Sequence, residues 1–531
     1  MERQNFKIKF RNSLSLFILM CVGVAAEEST VPGVMTAEQK PNIVIILVDD
    51  MGYSDLGCYG GEINTPTIDR LASNGLRYSQ FYNSARCTPT RAALLSGYYA
   101  QQINRDTVLD IMGKGARPKW ARLLPDYLKP AGYRSYHSGK WHIDGKPMGN
   151  GFDRSLYIDN HGEFSPKVLL KNGKRIEPKD GFYATTAVAD HVIEVLKEHQ
   201  NKHADKPFFS YVAFTAPHFP LHALPEDIER VGDRYKVGWD VIRAQRWERL
   251  QELGLVKGSL SKVEYDQGPP FDFSEQLTVL GEGEVTHPVP WNNLTEKQKA
   301  FQQVKMTIHA AMVERVDIEV SRIIKQLKAM NAFEDTVIFF LSDNGASAEM
   351  MVRGHGHDPD AAPGSAGSYL CLGPGWSTVA NTPFRKHKVW AHEGGSCTPL
   401  IVHWPNQISQ HGAIRETPGH VIDMVPTILD LAGATPAKKK VPFPGQSLLP
   451  SFKKDLGDNR TFWWSHRGNH AVRNGNWKLV KSNNEPWELY NLKEDRAETN
   501  NLVDQYPEKV KELEKQWEAQ VEQIRQVRKL K

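Results

Sequence analysis

Residues 42–52 read NIVIILVDDMG, an apolar run that ends in two carboxylates and a glycine. An uninterrupted run of aliphatic residues of this length is typical of a parallel strand buried on both faces. Ligands of α/β sheets collect at the carboxyl ends of strands, and two adjacent buried carboxylates are costly unless a cation compensates them. Asp49 and Asp50 are therefore predicted metal ligands. Taken alone, they could also be solvated turn residues, since Asp is common in turns.

The same design returns near the far end of the chain, where residues 336–345 read TVIFFLSDNG. Two such strand ends would bring four oxygen-bearing side chains to one edge of a sheet. These are Asp49, Asp50, Asp343 and Asn344. An all-oxygen set suits Ca²⁺ or Mg²⁺ rather than zinc, and Ca²⁺ accepts the looser geometry. The sequence therefore predicts one hard divalent cation per chain, Ca²⁺ or Mg²⁺, and favours Ca²⁺.

Apolar runs of strand length alternate with amphipathic stretches through most of the chain, which predicts an α/β sheet wrapped by helices. The predicted strands are 42–48, 208–214, 337–341 and 399–404, and the predicted helices are 65–74, 296–330 and 421–432. After the Pro- and Lys-rich run 436–444, short aromatic strands predict a small antiparallel sheet, and a charged helix follows from about Pro507. We expect a catalytic domain over residues 40–440 and a C-terminal subdomain over residues 441–531.

The stretch CTPTRAALLSG, residues 87–97, places a cysteine just before a predicted helix. Pro89 favours the first turn, so Cys87 should lie at the helix N-terminus, where unpaired backbone N–H groups and the dipole favour an anion. Arg91 comes four residues later on the same face, and its guanidinium suits a tetrahedral oxyanion. The alternative is a buried, inert cysteine before an ordinary helix.

Basic side chains recur in three further segments. Residues 132–142 read GYRSYHSGKWH, in which Lys140 and His142 should alternate to one face of an extended segment, or should simply be solvated. His218 follows the strand 208–214, and Lys388 lies among other basic residues. We interpret three neighbouring histidines as packing or surface residues: His222, His387 and His392.

Together these motifs resemble those of the type I, formylglycine-dependent sulfatases, in particular the bacterial arylsulfatase branch. The CxPxR pattern at Cys87 resembles the nucleophile signature, in which a maturase oxidises the cysteine to formylglycine. The pattern GYxSxxxGKxH resembles the second signature, and the likeness extends over residues 40–521. It implies an alkaline-phosphatase-like fold: a mixed sheet sandwiched by helices, with a small C-terminal α+β subdomain. Ser96 replaces a frequent Thr, and Lys386 and His387 replace a more apolar pair, which could reshape the substrate rim.

The resemblance also implies roles for the site residues in hydrolysing a sulfate ester to an alcohol and inorganic sulfate. Cys87, as formylglycine, would be the nucleophile and a fifth ligand of the Ca²⁺; a thiolate would be a poor neighbour for so hard an ion. His142 would contact the formylglycine hydroxyl, and either His218 or Lys388 could protonate the leaving alcohol. Transition-state charge would be offset by Arg91, Lys140, His218 and Lys388, of which the last three would bind the sulfate.

Three rival functions remain open at this stage. A phosphate or phosphonate monoester hydrolase of the same superfamily would use a similar site. A zinc phosphatase would need more His and Asp ligands than these motifs offer. A non-catalytic protein that binds sulfated glycans could keep the site and lack the modification. The natural substrate could be an aryl sulfate or a sulfated polysaccharide or oligosaccharide.

The N-terminus predicts export to the periplasm or the medium. Residues 1–26 combine four basic residues, an apolar stretch and a small-residue cleavage site after Ala26, as in a signal peptide. The apolar stretch is too short to span a bilayer, so no transmembrane segment is expected, and a lipid anchor at Cys21 is the weaker alternative. Removing this peptide lowers the formal net charge from +4 to +1, which leaves no global basic footprint for nucleic acid.

Five cysteines are present in the chain, and three of them lie outside both the signal peptide and the nucleophile motif. These are Cys58, Cys371 and Cys397. At most one internal disulfide could form among them, and their spacing offers no zinc site.

Overall fold

A mixed sheet of eleven strands lies at the centre of the computed structural model, which describes residues 40–106, 117–158, 162–353, 356–434, 440–457 and 459–530. Its strands are β1 (Asn42–Val48), β2 (Leu76–Tyr82), β3 (Arg134–Lys140), β4 (Arg154–Ile158), β5 (Leu169–Lys171), β6 (Lys174–Arg175), β7 (Phe208–Ala213), β8 (Thr336–Ser342), β9 (Cys397–His403), β10 (Ala413–Arg415) and β11 (Gly419–His420). Their order is β10-β2-β9-β8-β1-β7-β3-β4-β5-β6, and β11 also pairs with β2. The predicted mixed sheet is thus confirmed.

The central strand β1 shows why an uninterrupted apolar run was needed. It runs parallel to both of its neighbours, β7 and β8. Alternate side chains enter two separate cores: Val44, Ile46 and Val48 lie on one face, and Ile43 and its alternating partners on the other. Burial on both faces therefore leaves no position for a polar residue until the strand ends.

Helices cover both faces of this sheet. They are α1 (Pro66–Ser73), α2 (Cys87–Ser96), α3 (Leu124–Leu128), α4 (Ala184–His203), α5 (Pro225–Val231), α6 (Trp239–Glu252), α7 (Ser274–Leu280), α8 (Glu296–Ala329), α9 (Gly373–Ala380), α10 (Glu393–Ser396), α11 (Met424–Leu431) and α12 (Pro507–Arg528). The predicted helix 421–432 begins instead as a 3₁₀ turn, Val421–Asp423, and becomes α-helical at Met424. In the described residues, no helix is both long and apolar enough to cross a membrane.

A second sheet of four antiparallel strands follows, as predicted. Its strands are β12 (Thr461–His466), β13 (Asn469–Asn474), β14 (Trp477–Lys481) and β15 (Glu488–Asn491). Helix α12 packs on this sheet, where Leu513 and Trp517 meet Val472 and Leu479. The Trp464 indole donates a hydrogen bond of 2.7 Å to the Asn83 carbonyl, which joins the small sheet to the chain beside α2.

Some sequence predictions are not decided by this fold. Residues 40–531 form one compact unit, so the proposed boundary between residues 440 and 441 stays a prediction. The signal peptide over residues 1–26 and the alternative anchor at Cys21 lie outside the described residues. Cys58, Cys371 and Cys397 are all buried and free, so the single disulfide that they could have formed is absent.

Candidate active site

The strands β1 and β8 end side by side, and this brings their polar ends together. Val48 pairs with Ser342 in register, so Asp49 and Asp343 leave the sheet at the same level. The Asp343 amide donates to the Val48 carbonyl at 3.1 Å, and the Asp50 amide donates to Asp343 Oδ1 at 3.3 Å. The two strand ends that the sequence singled out therefore form one carboxylate-rich edge.

Asp50 has the left-handed backbone angle φ 66°, which is uncommon for a residue other than glycine. The turn places its carboxylate between two elements. Asp50 Oδ1 accepts a 2.6 Å hydrogen bond from the Asn344 amide, and Asp50 Oδ2 lies 3.5 Å from His218 Nε2. Ligand atoms of Asp49, Asp50 and His218 all lie within 4.8 Å of one another, so this group could hold a metal ion.

Buried oxygens without hydrogen-bond partners test whether a cation fits. Asp49 Oδ1 and Asn344 Oδ1 are both buried and lack a partner among the described residues. Burial raises the pKa of Asp50 to about 6, against the opposing effect of Lys388, and burial followed by repulsion from Asp49 raises the pKa of Asp343 well above its ordinary value. A hard cation would satisfy these oxygens and remove the cost of their burial. The donor set therefore fits Ca²⁺ or Mg²⁺.

Helix α2 begins at Cys87, as its motif predicted, and Arg86 before it is extended. The thiol is buried beside the carboxylates. Although burial raises the pKa of the Cys87 thiol, Lys140 and Lys388 lower it below the ordinary value. From the next turn of α2, the Arg91 guanidinium reaches Asp343 Oδ2 at 2.7 Å and Asp49 Oδ2 at 3.6 Å. The N-terminal half of α2 thus packs against the carboxylate-rich edge of the sheet.

Two lysines complete the cationic surroundings of Cys87. Lys140, the last residue of β3, donates a short hydrogen bond to Asp49. Lys388 donates to Asp50 Oδ2 at 2.8 Å and lies 3.3 Å from Glu349 Oε2. These carboxylates raise the pKa of Lys388 against the opposing effect of burial, which keeps the ammonium charged.

His142 lies beside the N-terminus of α2, but its backbone does not continue the extended segment that we predicted. Strand β3 ends at Lys140, and His142 has the left-handed angle φ 55°. The expectation that Lys140 and His142 alternate to one face of a strand is therefore wrong, because the chain turns between them. His142 Nε2 lies 3.1 Å from Thr88 Oγ1, beside the N-terminus of α2. Burial, and then the charge of Lys140, lower the pKa of His142 well below its ordinary value.

Sequence reasoning missed Glu349 and Arg86. Glu349 is buried in an irregular segment five residues after Asn344, and its pKa falls to about 2 because Lys388 and then Arg86 outweigh burial. No spacing marks that segment, although a lone acid among small and apolar residues is a weak signal. Arg86 was visible as the residue before Cys87, and its Nη2 lies 3.7 Å from Glu349 Oε1.

The three histidines that we interpreted as packing or surface residues are all buried. His222 Nε2 lies 2.9 Å from the Ser368 carbonyl oxygen, and His387 Nδ1 lies 3.0 Å from Ser377 Oγ. His392 Nε2 lies 3.5 Å from Glu488 Oε2. Each contact links two segments that pack side by side in the fold, as expected for packing residues.

Comparisons with known proteins agree with this geometry. The family model described as Sulfatase matches residues 41–434. The chain belongs to the sulfatase family. A second model, described as N-sulphoglucosamine sulphohydrolase, C-terminal, matches residues 384–527 of this sulfatase.

Two curated relatives cover most of this sulfatase. An uncharacterized sulfatase of Schizosaccharomyces pombe is 30% identical over 90% of this chain and 93% of its own length. An arylsulfatase of Klebsiella aerogenes is 30% identical over 77% of this chain and 92% of its own length. This sulfatase is therefore a sulfuric ester hydrolase.

Two solved structures share its fold. The protein Ps i-CgsB, solved in complex with k-i-k-neocarrahexaose, superposes with a TM-score of 0.67 at 24% identity, covering 91% of this chain and 92% of its own. A protein solved with its substrate D-glucosamine-2-N,6-O-disulfate gives a TM-score of 0.63 at 21% identity, covering 93% and 100%. At these identities the likeness concerns the fold.

Proposed function

We propose that this sulfatase hydrolyses sulfate esters of glycans, and aryl sulfates in the laboratory, through a formylglycine made from Cys87. The observation that carries the proposal is the position of Cys87. It starts α2 beside a carboxylate edge with two unpartnered oxygens, and Lys140, Lys388 and Arg91 surround it. A sulfate group needs such a cationic enclosure, and the orphaned oxygens need a cation.

Two groups would complete the chemistry. Hydrated formylglycine would supply a hydroxyl nucleophile for the sulfur and a second hydroxyl whose deprotonation expels the sulfate. Ca²⁺ would neutralise sulfate oxygens and lower the pKa of the nucleophilic hydroxyl. Its ligands would be Asp49, Asp50, Asp343, Asn344 and Cys87 in its modified form.

The chain's own residues would bind the substrate and move its protons. Lys140 contacts Asp49 and Lys388 contacts Asp50, so both ammonium groups lie at the proposed sulfate site. There they can bind sulfate oxygens and offset the negative charge that grows in the transition state. His218, beside Asp50, is placed to protonate the leaving alcohol, and Lys388 is the other candidate donor. Burial, and then the charge of Lys140, lower the pKa of His142, which favours the neutral imidazole that would accept a proton from a hydroxyl at position 87.

The glycan class rests on the neighbours rather than on the site. Both solved structures described above are complexes with saccharides, and one of those saccharides is a sulfated glucosamine. An exported enzyme would meet sulfated polysaccharides outside the cytoplasm, and the predicted signal peptide supports export. N-terminal sequencing of the mature protein after cell fractionation tests this localisation, because cleavage after Ala26 would leave Glu27 first.

The deciding experiment is the mass of the tryptic peptide from Cys87 to Arg91, isolated from protein co-expressed with a formylglycine-generating maturase. We expect the mass of an aldehyde in place of the thiol, together with release of sulfate from aryl sulfates and sulfated oligosaccharides. The Cys87→Ala variant is the control and should release none. An unmodified thiol despite a working maturase, with glycan binding but no turnover, would support a binding protein. Faster turnover of phosphate or phosphonate esters would support the phosphatase alternative.

A further inference from the structure

A second cationic feature lies next to the nucleophile and takes no part in the chemistry above. Arg86 directly precedes Cys87, and only 8% of the residue is exposed. Its Nε and Nη1 atoms are buried and lack a hydrogen-bond partner among the described residues. Its nearest carboxylate oxygen, on Glu349, is 3.7 Å from Nη2. Leaving two guanidinium donors unpaired in the interior is costly unless a ligand takes them up.

Arg467 approaches the same place from the C-terminal sheet. It lies in the turn between β12 and β13 with the left-handed angle φ 49°. The ring of Phe271 lies close to both guanidinium groups, with its centroid 5.7 Å from Arg86 Cζ and 4.7 Å from Arg467 Cζ. In the described part of the chain Arg467 contacts this ring and forms no ion pair. Burial, and then repulsion from Arg86, lower the pKa of Arg467.

A cavity of about 860 Å³ opens at this point, lined by Phe271, Lys386, Trp390, Arg467 and Asn469, among others. Val389 also lines the cavity, and its backbone amide donates to the Ala85 carbonyl at 2.8 Å, so the cavity adjoins the chain just before Cys87. Its volume suits one or two sugar units, and Trp390 offers an aromatic surface.

Most acids in this lining are already neutralised. Glu264 pairs with Arg385 at 2.8 Å and with Lys386 at 2.9 Å, and Glu488 pairs with Arg385 at 2.9 Å. The remaining acid, Glu485, is exposed. Arg467 therefore has no matching carboxylate among the described residues, and Arg86 has only the 3.7 Å contact with Glu349, which Lys388 shares. Both guanidinium groups lie by Phe271, which lines the cavity.

We propose that Arg86 and Arg467 bind a second anionic group of the substrate, while the sulfate to be hydrolysed occupies the site at Cys87. The second group is an oxyanion, a sulfate or a carboxylate on the same sugar or on its neighbour. A guanidinium with free donors binds such groups through charge-assisted hydrogen bonds, and the stacked Phe271 would hold both planes in place. The inference rests on the proposed function and narrows its substrate class to glycans that carry at least two negative charges.

The test uses Arg467→Gln, because the described structure shows no contact between Arg467 and the residues proposed to be catalytic. Two disaccharides of the same sugars, one monosulfated and one disulfated, serve as substrates for the full-length, formylglycine-containing enzyme. We expect KM for the disulfated substrate to rise about tenfold or more, with kcat and the monosulfated reaction changed less than about twofold. The control is Lys481→Gln at the end of β14. It removes a cation that lies over the ring of Trp487, just before β15 and outside the cavity lining, and it should change neither reaction.

Binding without turnover gives an independent readout. In the Cys87→Ala background, calorimetry should show that Arg467→Gln weakens the disulfated ligand about tenfold and the monosulfated ligand little. A third disaccharide, with one sulfate and one carboxylate, shows which oxyanion the pair prefers. Equal losses for all ligands, or no loss, would overturn the proposal. If the wild type carries the aldehyde but hydrolyses no sulfate ester, the proposed function fails, and calorimetry still decides whether the anion subsite exists.

Discussion

Two groups of buried charges flank the end of the large sheet. One lies at the proposed active site and is called the catalytic cluster; it comprises Asp49, Asp50, Asp343, Lys140 and Lys388. The junction cluster comprises Glu393, Glu498, Lys478 and Arg496, and it joins α10 to the chain around β14 and β15. Both are built from carboxylates and cations removed from water, yet their oxygens are used differently.

In the junction cluster both oxygens of Glu393 are occupied. Lys478 lies 2.8 Å from Glu393 Oε1 and Arg496 lies 2.9 Å from Oε2, which also accepts a 3.0 Å hydrogen bond from the Tyr82 hydroxyl. Glu498 takes a 2.8 Å contact from Lys478 and the backbone amide of Glu393 at 2.9 Å. Glu498 Oε1 and Arg496 Nε lack a hydrogen-bond partner among the described residues, but Glu498 Oε1 still meets the Lys478 ammonium at 2.8 Å. In the catalytic cluster Asp49 Oδ1 also lacks a hydrogen-bond partner, and both ion pairs of Asp49 go to its other oxygen. Closed bonding suits a group that holds two sheets together, and open bonding suits a group that receives an ion and a substrate.

The contrast is tested most strongly by Asp50→Asn. We expect sulfate release to fall about 10³-fold, because a site for cation and transition-state charge is lost. In the metal-free protein at neutral pH, the free energy of unfolding should change little. Removing a buried carboxylate with a raised pKa is favourable, but it also removes one ion pair of Lys388, which keeps Glu349 as a partner. Initial rates and urea unfolding in chelator measure both quantities. A large loss of stability would mean that this cluster holds the fold as the junction does.

The opposite outcome is expected for Glu393→Gln in the junction cluster. Removing one carboxylate leaves Lys478 and Arg496 buried with less compensation, so the free energy of unfolding should fall by about 3–5 kcal/mol. The kcat of the folded fraction should be unchanged, because Glu393 contacts no catalytic residue in the described structure. The matched control is Glu282→Gln, in which the lost ion pair with Lys297 is exposed and stability should not change measurably. A lower kcat in fully folded Glu393→Gln would mean that the junction cluster also contributes to catalysis.

Added Ca²⁺ should raise the stability only of proteins whose catalytic cluster is intact. At a hundredfold excess over its dissociation constant, a ligand of the native state stabilises a protein by about 2.7 kcal/mol. We expect this gain in the wild type and in Glu393→Gln, and its loss in Asp50→Asn. Thermal unfolding with and without Ca²⁺ measures it, and Mg²⁺ in parallel tests the choice of ion. An equal gain in all three proteins would place the ion elsewhere.

The parts that the sequence predicted well share one property: each belongs to a strongly periodic or apolar element with an abrupt end. Asp49 and Asp343 are the first residues after the apolar strands β1 and β8, so both candidate ligands could be predicted from the point where the apolar run ends. The start of α2 at Cys87 follows from Pro89 in the same way. These local signals also sufficed for the small sheet and its terminal helix.

The parts that could not be predicted depend on the path of the chain between elements. His142 reaches Thr88 only because the backbone turns after β3. Glu349 contacts Lys388 from an irregular segment, where no periodicity marks a position. The pairing of Arg86 with Arg467 across Phe271 joins residues about 380 positions apart, and only the packing of the small sheet brings them together.

The smallest expected effect concerns pH. Although burial raises the pKa of Glu393, Lys478 and then Arg496 lower it from the ordinary 4.5 to about 2. The folded state thus binds this proton less tightly than the unfolded state. Its contribution to stability is fully present above pH 4.5 and is lost as the pH falls from there toward 2. Between about pH 5 and pH 3 we expect the wild type to lose about 2 kcal/mol more than Glu393→Gln, which lacks the proton site. Urea unfolding across that range measures the difference, and parallel curves for the two proteins would show that the junction carboxylate is not held ionised by its cations.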